Sequence, residues 1–226
     1  INFKVRRGEI FVVVGGSGSG KSTLMRQMIG IEKPDSGQVI IEGEDFTAAD
    51  REKVKEIQQK FSVMFQSSGL FASMTLAENM ALLLKKSTDL SEQRMMEVIE
   101  MKLKSVGIGG YEDFLPEEIS GGMKKRAGIA RAMTLDPDII FFDEPSSGLD
   151  PVTAASIDGL IRELNKGLGT TMVVVSHDLQ SILQIADTII MLDKETKTII
   201  AQGTPDELKN MEENEYVYKF FNRLPA

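Results

Sequence analysis

Residues 15–23 read Gly-Gly-Ser-Gly-Ser-Gly-Lys-Ser-Thr and directly follow the apolar run 10–14. They match the pattern G-x-x-x-x-G-K-[ST], a glycine-rich turn between a buried strand and a helix. Glycines let the backbone approach a ligand closely, and successive N–H groups at a helix start form an anion site. We predict that Lys21 reaches the β- and γ-phosphates of a nucleotide and that Ser22 holds a magnesium ion. A glycine-rich linker is the alternative, but linkers rarely carry a lysine and a hydroxyl at this spacing.

The composition argues against nucleic-acid-binding, disulfide-bonded and membrane-spanning proteins. The chain has 226 residues, a net charge of −8 and no cysteine. It is long enough for one large domain, or a domain with a subdomain, and its charge argues against free nucleic acid as a partner. The lack of cysteine excludes disulfides and thiolate metal sites and fits a reducing compartment. No apolar run approaches the ~20 residues that span a bilayer, and no signal peptide is visible. The chain starts so close to its first strand that we expect its natural beginning to be missing.

Polar side chains follow three predicted core strands. Gln66 ends the run 61–65, Asp143 and Glu144 end an apolar run, and His177, the only histidine, follows another. Ligands of open α/β sheets bind at the carboxyl ends of strands, and two acids there are costly without a cation or a reaction. Each group also has an ordinary explanation: a loop glutamine, a solvated acidic turn or a structural histidine.

Helix-start signals mark the middle of the chain. Residues 75–78 form a capping-box pattern, and apolar residues recur at helical spacing after residue 95, which predicts a helical insert. Its methionines suit core filling, although an adaptable docking surface is also open. Ser120 is predicted to cap a helix whose first N–H groups suit a phosphate. The basic residues 124–126 form either a solvated face or an anion-attracting group.

Other local patterns complete the predicted fold. Asp150 caps a further helix, with Pro151 at its first position. Residues 3–14 suggest a β-hairpin around Arg7 and Gly8, and residues 189–201 suggest a closing hairpin.

Taken together, the motifs resemble the ATP-binding cassette (ABC) ATPases over nearly the whole chain. They come in that family's order: the phosphate loop 15–22, Gln66, Ser120-Gly121-Gly122, Asp143-Glu144, the loop 147–150 and His177. The family signature usually reads Leu-Ser-Gly-Gly-Gln, whereas this chain has Ile-Ser-Gly-Gly-Met at 119–123. The change removes a polar group but keeps both glycines.

The resemblance implies an α/β fold: a P-loop NTPase core with a mixed sheet, an antiparallel β-subdomain and an inserted helical subdomain. It implies one nucleotide-binding domain over 1–226, truncated at its N-terminus, with the helical subdomain at 67–125.

It also implies roles for named residues, with ATP and Mg²⁺ as cofactors. Glu144 acts as the general base or at least polarises the attacking water, His177 contacts the γ-phosphate, and Lys21 and Gln66 complete the catalytic set. Ser22, Gln66 and Asp143 organise the metal. The nucleotide contacts implied are Gly15, Gly16, Ser17, Gly18, Ser19, Gly20, Lys21, Ser22, Thr23, Ser120, Gly121, Gly122 and Asp150.

Members of the family work as head-to-tail dimers bound to integral-membrane permease subunits. The resemblance therefore implies a second nucleotide-binding subunit, permease partners and a place on the cytoplasmic face of the cell membrane. A narrower resemblance, carried by residues 65–71, 120–126 and 174–178, is to ATPases of bacterial phospholipid transporters that maintain outer-membrane lipid asymmetry and to toluene-tolerance transporters.

Three rivals remain at this stage. An importer ATPase for amino acids or another small solute shares every catalytic residue. A non-transport ATPase of chromosomes, repair or translation would carry a long coiled coil or a second cassette. A simple P-loop kinase would not need Ser120-Gly121-Gly122 or a hydrolytic Glu144.

We expect the adenine to be held weakly. The family usually stacks an aromatic side chain on the base from upstream of the phosphate loop. Here only Phe3 and Phe11 precede Gly15, and both alternate with apolar residues as core positions do. Nucleotide binding should then depend mainly on the phosphates, with poor selectivity for adenine.

Overall fold

The computed structural model describes residues 1–225. Strands and helices alternate through most of the chain, as in α/β proteins. No helix among the described residues combines the length and the apolar character needed to cross a membrane. The strands are β1 (Ile10–Gly15), β2 (Ile40–Ile41), β3 (Glu44–Asp45), β4 (Phe61–Met64), β5 (Ile139–Asp143), β6 (Thr171–Val175), β7 (Thr188–Leu192) and β8 (Ile199–Gly203). The helices are α1 (Lys21–Met28), α2 (Arg51–Gln58), α3 (Leu76–Ser87), α4 (Glu92–Ser105), α5 (Gly121–Ala132), α6 (Pro151–Leu168), α7 (Leu179–Ile185), α8 (Pro205–Lys209) and α9 (Glu215–Asn222).

Six strands form one mixed sheet in the order β4-β5-β6-β1-β7-β8. The first five are parallel, and β8 pairs antiparallel with β7. All six residues of β1 are buried, as expected for a parallel strand covered on both faces. The parallel register brings the carboxyl ends of β1, β4, β5 and β6 to one edge. A separate antiparallel pair, β2–β3, matches the predicted small β-subdomain.

The predicted N-terminal hairpin is wrong, and the closing hairpin is confirmed. Residues 1–9 contain no strand, because both edges of β1 are already paired with β6 and β7. Phe3 instead stacks on the buried ring of Phe11, with ring centroids 5.2 Å apart. The prediction that Phe11 belongs to the core is therefore confirmed, and Phe3 packs against that core while only partly buried. At the other end, β7 and β8 form the expected hairpin with a bulge at Met191.

The helical segment shares the main hydrophobic core. The capping box at Thr75 and Glu78 is present at the start of α3. Buried side chains of α3 and α4, such as Met80 and Ile99, belong to one continuous cluster with β1. Helix α5 runs unbroken past residue 125, so the division at 67–125 remains a prediction. Met80 and Met95 fill the core as predicted, whereas Met96 and Met101 are exposed.

Candidate functional site

The phosphate loop joins β1 to α1 as predicted. Gly15, Gly18 and Gly20 all have positive φ. A Cβ on Gly15 would lie 2.5 Å from the carbonyl oxygen of Leu192, so this position requires glycine. The Nζ of Lys21 donates to the carbonyl oxygens of Gly15, at 2.8 Å, and Gly16, at 3.1 Å. The lysine side chain is thus folded back onto its own loop.

The charges around Lys21 would favour binding of an anion at the lysine and of a cation at the neighbouring carboxylates. Burial lowers the pKa of Lys21, opposed by the charges of Glu144 and Asp143. The pKa of Asp143 is raised by burial and next by Glu144. Both groups are therefore held in environments that disfavour their charged forms until an opposite charge binds. A bound phosphate would stabilise the charged form of Lys21, and a bound cation would stabilise the charged form of Asp143.

The acidic pair lies at the carboxyl end of β5. Glu144 takes φ +50°, an uncommon backbone conformation outside glycine, and its side chain is mostly buried. Such strained residues are often held at functional sites by their surroundings. The turn redirects the chain after β5 and places Glu144 against the residue that follows β6.

The structure brings Glu144 and His177 together. The Nδ1 of His177 lies 2.7 Å from Oε1 of Glu144, and the imidazole is largely exposed. An acid oriented by a histidine at the mouth of a phosphate loop can position and deprotonate a water molecule. The sequence placed both residues at strand ends but did not predict their direct contact.

The chemistry of the predicted metal ligands fits magnesium. Within residues 1–225 no group of three or more His, Cys, Asp or Glu side chains could hold a metal alone. The predicted set is one hydroxyl (Ser22), one amide (Gln66) and one carboxylate (Asp143). Mg²⁺ is usually bound by one or two carboxylates plus substrate phosphates and water, which is what this sparse set would require. The hydroxyl of Ser19, buried without a hydrogen-bond partner, is a further polar atom in the loop suited to a ligand.

The segment Ser120-Gly121-Gly122 starts α5 as predicted, with the Ser120 hydroxyl accepting from the N–H of Met123 at 3.3 Å. It lies beside the start of α6: a Cβ on Gly122 would be 2.6 Å from Cγ2 of Thr153. Asp150 caps α6 by accepting from the N–H groups of Val152 and Thr153, and hydrogen bonding with Thr153 lowers its pKa.

The alternative that residues 124–126 form a solvated face is wrong for Lys125. Lys125 is buried, and its Nζ donates to the carbonyl oxygens of Gln66 and Glu144. Arg126 donates to the carbonyl oxygen of Val106 and to the hydroxyl of Ser156. These side chains tie α5 to its neighbours because backbone carbonyls, invisible in a sequence pattern, are available there. The side chain of Gln66 itself is exposed.

Two further residues approach the phosphate loop from the C-terminal part of the chain. A Cβ on Gly16 would lie 3.4 Å from the hydroxyl of Tyr216 in α9. A Cβ on Gly18 would lie 3.8 Å from Cε of Lys194, in the β7–β8 turn. Sequence analysis missed both, since neither belongs to a local motif.

Comparison with known proteins agrees with this geometry. The family described as "ABC transporter" matches residues 1–147. The chain is 41% identical over 210 residues to the intermembrane phospholipid transport system ATP-binding protein MlaF of Escherichia coli, covering 92% of this chain and 77% of that protein. It is 38% identical over 222 residues to the probable ribonucleotide transport ATP-binding protein mkl of Mycobacterium bovis, covering 98% of this chain and 61% of that one.

A solved structure extends the agreement to three dimensions. The ATP-binding cassette MJ0796, a dimer in a post-hydrolysis state bound to ADP and Pi, superposes with a TM-score of 0.79 at 29% identity. The match covers 90% of this chain and 88% of that one. The chain therefore belongs to the ABC transporter family, and it is an ATP-hydrolysing enzyme of that family.

Proposed function

We propose that the chain is the motor subunit of an ABC transporter that uses ATP hydrolysis to move phospholipids between membranes. The observation that carries the enzymatic part is the 2.7 Å contact of Glu144 with His177, beside the phosphate loop. The lipid part is supported by the likeness to MlaF, the ATP-binding protein of an intermembrane phospholipid transport system.

The roles of the residues follow from their positions. The N–H groups of the loop 15–20 and Lys21 would bind the phosphates. Ser22, Gln66 and Asp143 would hold Mg²⁺, which would neutralise charge developing on the phosphates. Glu144 accepts a proton from the attacking water as the oxygen bonds to the γ-phosphorus and the bond to ADP breaks. His177 holds Glu144 in place and faces the γ-phosphate. Catalysis is then mainly positioning and charge stabilisation.

A second copy of the chain would complete each site. The signature residues Ser120, Gly121 and Gly122 lie beside α6 in their own subunit, at the start of α5, where helix N–H groups could bind a phosphate of a partner. A head-to-tail dimer would place them on the partner's γ-phosphate, with Asp150 at the contact. The dimeric cassette that superposes on this chain supports such an assembly. ATP then acts as a bridge that hydrolysis removes, which makes the dimer a switch.

Permease subunits would hold this motor at the cytoplasmic face of a membrane. In this proposal the described residues form one nucleotide-binding domain, and the helices of 67–125 are its helical subdomain. The likeness to mkl, a probable ribonucleotide transport ATP-binding protein, supports a small-solute transporter as the second candidate.

Two measurements test the proposal. Phosphate release should require Mg²⁺ and ATP and should be lost in Lys21→Ala. The native complex, isolated through a tag on this chain, should contain integral-membrane subunits and co-purify with phospholipid. An active ATPase whose membrane partners transport ribonucleotides or amino acids would overturn the lipid assignment while keeping the enzymatic one.

A further inference from the structure

Lys125 places a buried ammonium group between two parts of the catalytic site. Only 7% of the residue is exposed. Its Nζ lies 2.7 Å from the carbonyl oxygen of Gln66 and 3.3 Å from that of Glu144. Buried lysines are rare unless paired or hydrogen-bonded, because desolvating the charge is costly.

The surroundings of Lys125 explain how the charge is tolerated. Burial lowers its pKa, while the charges of Glu144 and then Asp143 raise it. The two hydrogen bonds go to backbone atoms, so neither acidic side chain is consumed by an ion pair. Lys125 therefore leaves the Asp143 carboxylate and the contact of Glu144 with His177 undisturbed, while both acids stabilise the buried cation.

One of the two carbonyls belongs to a strained residue. Glu144 has φ +50°, and its carbonyl oxygen also accepts from the N–H of Ser147, at 3.2 Å, and from the Ser147 hydroxyl, at 2.9 Å. A cation on that oxygen favours the left-handed conformation that points the Glu144 side chain at His177. The other carbonyl, that of Gln66, fixes the start of the segment that follows β4.

The position of Lys125 in α5 links these contacts to the signature. It lies just over one helical turn after Ser120–Gly122, the residues proposed to bind the partner's nucleotide. We infer that Lys125 is a positioning residue, which fixes the backbones of Glu144 and Gln66 against the signature helix so that α5 and the hydrolytic acid move as one unit. The inference rests on the proposed function, since it assigns a new part to that same site.

Lys125→Met tests this by removing the charge while keeping most of the aliphatic stem. Hydrogen bonds to charged groups contribute ~1.5–3 kcal/mol, so kcat should fall about 10- to 100-fold if they hold the acid in place. The Kd for ATP, measured by calorimetry with Mg²⁺ on a short time scale, should change less than about threefold, because phosphates are bound elsewhere. Lys125→Arg, which keeps the charge and the donors, should restore part of kcat.

Lys124→Met is the matched control, since Lys124 is the preceding residue and its side chain makes no hydrogen bond or ion pair within residues 1–225. It should leave kcat and Kd unchanged. Equal kcat values for the two methionine variants would overturn the inference. So would a parallel loss of kcat and ATP affinity, or failure of Lys125→Arg to recover any activity while folded, since both indicate a merely structural role.

Two further results keep the test decisive. If Lys125→Met does not fold, Lys125→Gln is the second variant: it removes the charge but keeps an amide that can donate, and kcat should again fall while the Kd for ATP stays nearly unchanged. Absence of ATPase activity in the unmodified protein would instead overturn the proposed function, so the two failures are distinguishable.

Discussion

Replacing Glu144 by glutamine should separate nucleotide binding from hydrolysis. The amide has the shape of the carboxylate, so it fits the mostly buried site and can still hydrogen-bond to Nδ1 of His177, 2.7 Å from the present oxygen. What is lost is the ability to accept a proton from water. A positioned general base contributes ~10²- to 10⁴-fold in rate, which corresponds to ~3–5 kcal/mol of barrier.

The same substitution should preserve or strengthen ATP binding. Glu144 is one of the causes that raise the pKa of Asp143, so its removal lets Asp143 ionise more readily for a metal. It also removes a negative charge beside the γ-phosphate. We therefore expect ATP with Mg²⁺ to hold the Glu144→Gln protein as a stable dimer.

The assays are phosphate release for kcat and size-exclusion chromatography with ATP and Mg²⁺ for the dimer. Glu163→Gln, at an exposed position of α6, is the matched control and should behave as the unmodified protein. Near-normal hydrolysis by Glu144→Gln would remove Glu144 from the role of base. Loss of ATP binding would show instead that the turn after β5 depends on the charge.

Three further predictions concern other parts of the molecule. Gly122→Asp should abolish hydrolysis yet spare ATP binding to the same subunit, because its carboxylate would repel the partner's γ-phosphate. Gly122→Ala carries the steric overlap with Thr153 alone, so equal loss in both variants would refute the electrostatic explanation. Charged substitutions at exposed positions of residues 66–90, such as Phe71→Glu, should uncouple ATPase activity from the assembled transporter without unfolding the isolated domain; unchanged coupling would count against docking there. Burial raises the pKa of Asp158 in the folded protein above its value in the unfolded chain. The free energy of unfolding should therefore be highest at pH values below the unfolded-state pKa and should fall as the pH rises through the folded-state pKa. Denaturant titrations of Asp158→Asn should lack this loss, and parallel pH profiles for the two proteins would contradict it.

Local sequence patterns were sufficient to predict most of the strands and helices. A β-branched run before a glycine turn predicted β1 and α1, and cap residues such as Thr75, Ser120 and Asp150 marked helix starts that the structure has. These signals succeed because strand burial and helix capping depend on neighbours in sequence. The N-terminal hairpin failed because alternation in residues 3–5 cannot reveal that both edges of β1 are taken.

The candidate site was predictable in part, for a related reason. Gln66, Asp143, Glu144 and His177 follow core strands, and parallel strands bring their carboxyl ends to one edge. Which side chains touch there depends on loop geometry, above all on the φ of Glu144. The contact of Glu144 with His177 therefore required the structure.

Tyr216 shows how an amphipathic pattern limits such predictions. Val217 and Phe221 anchor α9 in the core, at 0% and 2% exposure. Because Val217 and Phe221 face inward, Tyr216 must point away from the core. The position of α9 directs the Tyr216 side chain toward Gly16. The pattern thus specifies which face of α9 is buried, but only the packing of α9 brings the outer face to the phosphate loop. The hydroxyl of Tyr216 consequently lies against the phosphate loop, although Tyr216 is 200 positions from Gly16 in sequence. The aromatic residues upstream of Gly15 give no indication of this contact.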